Sequence, residues 1–377
     1  MRYFLELCVL SAQKAIQNLD AEIIVVDNNS SDDSCAMMKQ RFPNIKLIEN
    51  KENLGFPKGN NIGVAQAKGE YICILNPDTV VAEDTFEKIL NSQLATRNSQ
   101  LGIIGCKLID GTGNFLPESK RGIPTPWVAF TKIFGLYKVF PKSSLFNKYY
   151  AQDLDENKTG KVDILVGAFM VMKRELYNEM EGFDENCFMY ADDIDLSYRA
   201  LLLQKQNYYF HETTVIHYKG ESTVKDATYM KHFREFMNFF YKKHFKQSVF
   251  FNLMARFGAF YFSVVKLFQG KTKSKIEPNH YILISDNETT REKLENKLQK
   301  KVERTILENG KIVFSQTFSK EKNNEVILDT NYLSFTEAIT FLETNKNKSF
   351  TFKLLPIQSN FIIGSNSSND RGEVITM

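Results

Sequence analysis

The chain is expected to fold as an α/β protein with a mostly parallel, doubly wound sheet, on three observations. Short β-branched or apolar runs alternate with amphipathic stretches through the first half of the sequence. One such run, Tyr71–Leu75 (Tyr-Ile-Cys-Ile-Leu), reads as a buried strand. It stops abruptly at Asn76-Pro77-Asp78, because Pro77 has no N–H and fixes φ. Asp78 thus stands just past the C-terminal end of a buried strand, where open α/β sheets bind ligands. Taken alone, Asn-Pro-Asp reads better as a plain turn.

In chain order, residues 3–18 show helical spacing in Phe4, Leu7, Cys8, Leu10 and Ile16. A strand over 22–26 leads into Asp27-Asn28-Asn29-Ser30-Ser31, with Ser30 or Ser31 able to cap a helix over 33–41. A carboxylate and two amides at a strand exit suit a base and ribose; they also suit an ordinary βα turn. A strand over 45–49 precedes Asn53-Leu54-Gly55-Phe56, where Gly55 permits close approach of backbone to ligand. Asn60 and Asn61 follow in a helix over 58–67 and can bond a sugar or phosphate. Helix 85–93 and strand 102–107 lead to an aromatic and basic stretch, 121–150, without clear periodicity. Residues 162–172 form an apolar strand interrupted by Gly167-Ala168, small residues that let a ligand come close or mark a bulge. Asp192, Asp193 and Asp195 open a helix running to about 203. Strands over 208–210 and 214–218 close this part. His217 ends the second, and with Asp78 it makes a donor pair for a hard cation that prefers oxygen.

Composition narrows the function class. A net charge of +3 over 377 residues gives no case for nucleic acid. Five cysteines without a C-x-x-C pair indicate a reducing compartment and no disulfide framework. Residues 1–10 lack the apolar core of a signal peptide.

Seven motifs then occur in one order: Val25-Val26-Asp27-Asn28-Asn29-Ser30, Asn53-Leu54-Gly55-Phe56, Leu75-Asn76-Pro77-Asp78, Gly167-Ala168, Asp192-Asp193-Ile194-Asp195-Leu196, Arg199, and His217-Tyr218. Together they resemble a family 2 glycosyltransferase of the GT-A fold, rhamnosyltransferase-like, over residues 1 to about 241. The resemblance implies inverting transfer of a sugar from a nucleotide donor, UDP- or dTDP-linked, to a hydroxyl of a glycan or lipid-linked acceptor. It implies Mg²⁺ or Mn²⁺ held by Asp78 and His217, and Asp193 as general base. Asp192 stands where Glu is commoner. The donor nucleotide is expected at Asp27, Asn29, Asn53, Gly55, Asn60 and Asn76, and the acceptor and sugar at Gly167, Ala168, Asp195 and Arg199. Family members begin with a strand of the Ile-Ile-Val-Asn-Tyr-Asn kind before the helix that here opens at Arg2, so a longer native form is expected.

Three regions are expected: residues 1–230 as the glycosyltransferase domain, 231–278 as an aromatic and basic helical segment, and 279–377 as a small α/β unit. The run 249–268 is near bilayer-spanning length but carries Asn252, Arg256 and Lys266. With its flanking lysines it reads as a helix lying in the cytoplasmic leaflet, or as a buried helix. The expected location is therefore cytoplasmic, peripheral at the inner face of the membrane. The last unit ends a strand at Phe361-Ile362-Ile363-Gly364 but has no G-x-G-x-x-G. Two other classes were weighed: a scaffold protein that binds no nucleotide, and a sugar nucleotidyltransferase, which needs a Gly-rich basic loop that is not present.

Overall fold

The computed structural model describes residues 1–186, 192–219, 239–245, 278, 280–308, 311–312, 323–346, 350–366 and 372–377. The chain opens on α1 (Arg2–Ala15), then alternates β1 (Ile24–Asp27), α2 (Ser34–Arg41), β2 (Lys46–Glu49), α3 (Gly55–Ala65) and β3 (Tyr71–Leu75). After β3 come β4 (Thr79–Val80), α4 (Thr85–Asn91), α5 (Gln93–Arg97), β5 (Leu101–Ile109), α6 (Pro126–Ile133) and α7 (Leu136–Val139). The first unit ends with β6 (Gly160–Val162), β7 (Phe169–Lys173), α8 (Arg174–Glu179), α9 (Asp192–Leu202) and β8 (Gln206–His217).

The α/β class holds, but the strand directions differ from the expectation. β1 and β2 form a parallel pair apart from the main sheet, whose order is β3-β7-β5-β8-β4 with β6 on β8. In that sheet β5 and β8 run parallel, while β3–β7, β5–β7, β4–β8 and β6–β8 are antiparallel. The physical reason lies after β3. The turn at Asn76–Asp78 returns the chain without a crossover helix, and the long segment between β5 and β7, which holds α6, α7 and β6, brings β7 back antiparallel to β5. Period-2 alternation fills both faces: Ile72, Ile74, Met170 and Met172 pack in one core layer, and Tyr71, Cys73, Leu75 and Val171 in another.

Several element boundaries moved. Neither Ser30 nor Ser31 caps α2: its N-cap is Asp33, and the Asp32 carboxylate before it accepts from the Ser34 N–H at 3.1 Å. The run over 162–172 breaks into β6 and β7, with Gly167-Ala168 in the break. The two strands expected over 208–218 are one strand, β8, whose register to β5 shifts between Phe210 and Thr214. Side chains satisfy that irregularity: Thr159 Oγ1 lies 2.9 Å from His211 Nδ1, and Thr85 Oγ1 lies 2.9 Å from Thr213 Oγ1.

The second unit comprises β9 (His280–Ile284), α10 (Glu288–Leu298), β10 (Val302–Thr305), the small pair β11 (Leu307–Glu308) and β12 (Lys311–Ile312), β13 (Asn324–Asp329), α11 (Phe335–Asn345), β14 (Phe350–Leu355), β15 (Phe361–Gly364) and β16 (Glu373–Thr376). Its sheet order is β10-β9-β13-β14-β15-β16, parallel through β14 and antiparallel beyond. This sheet shares a core with the first unit. Phe4, Leu7, Val80, Ile109, Ile216 and Tyr218 pack in one cluster with Ile282, Val326, Phe335, Leu342 and Phe361. Of the aromatic run 231–278, all but 239–245 and Pro278 lies outside the described residues, 249–268 included. No helix among the described residues is long and apolar enough to cross a membrane.

Candidate active site

Strand pairing builds the first half of the site. β4 is only two residues long, and its register places Thr79 opposite His217. The Tyr218 N–H donates to the Asp78 carbonyl at 3.0 Å, so Asp78 and His217 are held side by side although 138 positions separate them in the sequence. His217 Nε2 lies 3.4 Å from Asp78 Oδ1, and both residues are buried. Buried His217 Nδ1 has no hydrogen-bond partner among the described residues. A carboxylate beside an imidazole with a spare nitrogen fits Mg²⁺ or Mn²⁺. Among the described residues no group of three or more His, Cys, Asp or Glu converges. α1 backs the loop: Cys8 Sγ points at the Asn76 carbonyl at 3.5 Å, and Ser11 Oγ accepts from the Val81 N–H at 3.2 Å. Burial pushes the Cys8 thiol up to about 11, so it stays neutral in that role.

The second half opens α9. Asp193 Oδ2 accepts from Arg121 at 2.6 Å and from the Gly167 N–H at 3.0 Å. Arg121 also donates to the Leu165 carbonyl at 2.8 Å. Burial alone would lower the Arg121 guanidinium; the Asp193 carboxylate more than offsets this and holds it up. Asp192 is buried beside Asp193, and burial followed by the Asp193 charge pushes its carboxyl up to about 7.

Residues 167 and 168 join the halves. The Asn76 N–H donates to the Ala168 carbonyl at 3.0 Å, while the Gly167 N–H holds Asp193. Gly167 must be small: a Cβ there would lie 3.3 Å from Asp193 Cβ and 3.7 Å from the Phe56 ring. Phe56 belongs to the first turn of α3, so the Asn53–Gly55 loop reaches the same place. Asn28 ties that loop to the β1 exit, donating to the Gly55 carbonyl at 2.9 Å and accepting from Asn50 at 2.8 Å. Asp27, the last residue of β1, accepts from the Ser30 N–H at 3.0 Å, and Asn29 follows with φ 61°. Gly55 has φ 82°, a backbone conformation that favours glycine. Asn53 accepts from the Gly55 N–H at 3.0 Å and Asn60 donates to the Phe56 carbonyl at 2.8 Å, so both amides are partly engaged in shaping the entry to α3.

Asp195 and Arg199, expected at the sugar, are engaged elsewhere. Asp195 is 1% exposed and is held by Arg199 at 2.7 Å, His244 at 2.7 Å and Lys243 at 2.9 Å. Burial would raise its carboxyl, but the His244 hydrogen bond and the Arg199 and Lys243 charges hold it down at about 2. Arg199 also donates to the Met180 and Gly182 carbonyls. The helical spacing i,i+4 is the physical reason: it points both side chains at the segment before α9.

Sequence reasoning missed Arg121, Glu118, Lys219 and Tyr149. Glu118 pairs with Lys219 close to His217; burial raises its carboxyl, and Lys219 and His217 together bring it below the usual range. Burial raises the Tyr149 phenol, while Lys132 and Arg121 together bring it below the usual range. Only Arg121 left a signal, as a cation before Gly-Ile-Pro in an otherwise aromatic stretch.

Residues 3–180 match the family described as Glycosyl transferase family 2. Over that stretch, just under half of its length, the chain is similar to glycosyltransferase family 2. It is similar to an N-acetylglucosaminyl-diphospho-decaprenol L-rhamnosyltransferase of Mycobacterium tuberculosis, 26% identical over 215 residues, 54% of this chain and 68% of that one. It is also similar to the rhamnosyltransferase WbbL of Escherichia coli, 28% identical over 228 residues, 55% of this chain and 78% of the relative. Among solved structures it is similar to a mannosyltransferase from Pyrobaculum calidifontis in complex with GDP-Man and Mn²⁺, at TM-score 0.46 and 14% identity, covering 72% of this chain and 73% of that one. The curated relatives that it resembles thus include rhamnosyltransferases.

Proposed function

We propose that this glycosyltransferase is metal-dependent and inverting, moving a sugar from a UDP- or dTDP-linked donor to a hydroxyl of a lipid-linked glycan in bacterial surface polysaccharide synthesis. The observation that carries the reading is the linkage through Gly167 and Ala168. It sets a cation-binding pair, Asp78 and His217, and an acid pair, Asp192 and Asp193, on either side of two small residues. A divalent cation bound there supplies charge neutralisation for a departing nucleoside diphosphate.

The chain's own residues supply the rest. Asp27, Asn29, Asn53, Gly55, Asn60 and Asn76 lie at the β1 exit, the α3 entry and the end of β3, suited to a nucleotide. Arg121 and the Gly167 N–H fix one oxygen of Asp193, and Oδ1 makes no hydrogen bond among the described residues. That oxygen accepts the proton of the attacking acceptor hydroxyl. A single base with no nucleophilic carboxylate opposite gives inversion. The lipid-diphosphate in the name of the mycobacterial relative supports a lipid-linked acceptor and a peripheral position at the inner membrane surface.

Asp193→Asn is expected to cut transfer by about two to four orders of magnitude. Calorimetric affinity for UDP or dTDP with Mn²⁺ should stay unchanged. Wild-type turnover in that variant removes Asp193 from the base role.

A further inference from the structure

Between Glu118 and Asp153 the chain has no acidic residue and six basic ones: Lys120, Arg121, Lys132, Lys138, Lys142 and Lys148. The structure divides them. Lys120 and Arg121 are buried at the root of the segment, whereas Lys138, Lys142 and Lys148 are exposed. Among the described residues, the exposed large apolar side chains are Trp127, Val139, Phe140, Leu145, Leu202, Leu203 and Ile306, and the first four fall in this one segment. They form a single built patch. Trp127 donates its indole N–H to the Leu145 carbonyl at 2.9 Å, so its polar handle is satisfied internally while the residue is 42% exposed. Its ring lies 5.5 Å from Phe130 and 5.9 Å from Phe146, and Phe146 lies 5.2 Å from Phe140.

The patch is fixed to the acid side of the cleft. Arg121 bonds Asp193 at its base, Ala129 of α6 packs in one cluster with Ile194 of α9, and Tyr241 donates to the Pro124 carbonyl. Contiguous exposed apolar surface on a soluble face marks a contact site. A preformed aromatic platform in a segment that carries three exposed lysines and no carboxylate is complementary to a surface that is apolar inside and anionic outside.

We propose that the α6–α7 segment, through Trp127, Val139, Phe140 and Leu145 with Lys138, Lys142 and Lys148, docks the enzyme on an anionic phospholipid bilayer. The cleft's acid pair would then open beside the lipid from which the acceptor hydroxyl projects. Only this last point rests on the proposed function; the docking itself needs neither donor nor acceptor, so the two readings fail separately.

Trp127 is the sole tryptophan of the chain, which makes the test direct. The full chain is titrated with phosphatidylcholine vesicles with and without phosphatidylglycerol, reading Trp emission, bromolipid quenching and co-sedimentation. Expected are a blue shift, quenching by bromolipid and about tenfold tighter partition with phosphatidylglycerol. Lys138→Glu/Lys142→Glu/Lys148→Glu should remove the phosphatidylglycerol preference, and Phe140→Ser/Leu145→Ser should reduce partition about tenfold on either vesicle. Co-sedimentation with unchanged Trp emission would place the contact elsewhere and overturn the proposal. So would absence of binding, or a blue shift that follows protein concentration without lipid, which marks a second copy as the occupant.

Discussion

Asp192 and Asp193 are adjacent in the chain, yet their surroundings differ. Asp193 has an arginine and a backbone N–H on one oxygen; Asp192 is buried against that charge and its carboxyl is pushed up to about 7. A carboxyl whose folded-state pKa is raised holds its proton more tightly when folded. Its contribution to stability is therefore fully present below about 4 and is lost as pH rises through about 7. Asp192→Asn removes that loss. It should raise the melting temperature at pH 8 and leave it nearly unchanged at pH 4, with a gain of about 1–3 kcal/mol at the upper end. Equal effects at both pH values in differential scanning calorimetry would contradict the assignment. This contrast was not legible in the sequence, because Asp-Asp at a helix start gives no sign of which carboxylate meets Arg121, 72 residues earlier.

At the scale of elements, α9 carries the acids and is held at a fixed angle by the network around Asp195. Removing one partner of a buried ion pair leaves uncompensated charge, and here Arg199 and His244 would lose their carboxylate while Lys243 keeps Asp184 at 2.6 Å. Asp195→Ala should cost about 3–5 kcal/mol in urea melts while the KM for donor stays unchanged. A selective rise in that KM without loss of stability would return Asp195 to the sugar. The acidic run was visible in the sequence; the division of labour within it was not, since Asp195 is set apart by Lys243 and His244, which come from beyond β8. Tyr71–Leu75 and its stop at Pro77 were legible to the residue, because a buried strand ended by proline is a local event.

Across the whole molecule, the second unit is welded to the first. The Glu83 carboxylate accepts from the backbone N–H groups of Phe335 and Thr336 at 2.6 and 2.8 Å, seated at the start of α11. Arg41 donates to the Ile357 and Gln358 carbonyls, and Lys107 pairs with Glu343 at 3.0 Å. Gly113, at φ 81°, lies so close to the Leu342 carbonyl that a Cβ would sit 2.2 Å from it. The two units should consequently unfold in a single denaturant transition, and Phe335→Ala should lower it by about 3–5 kcal/mol as a whole. Two resolved midpoints, with only one moved by the variant, would refute a common core.

The α/β class and the strand-then-turn order around Asp78 were readable from residues alone, because each depends on neighbours a few positions away. The reach of Arg121 to Asp193, the mixed strand directions and the shared core of the two units were not. They depend on which surfaces meet after folding, and shape complementarity between distant segments leaves no periodicity in the chain.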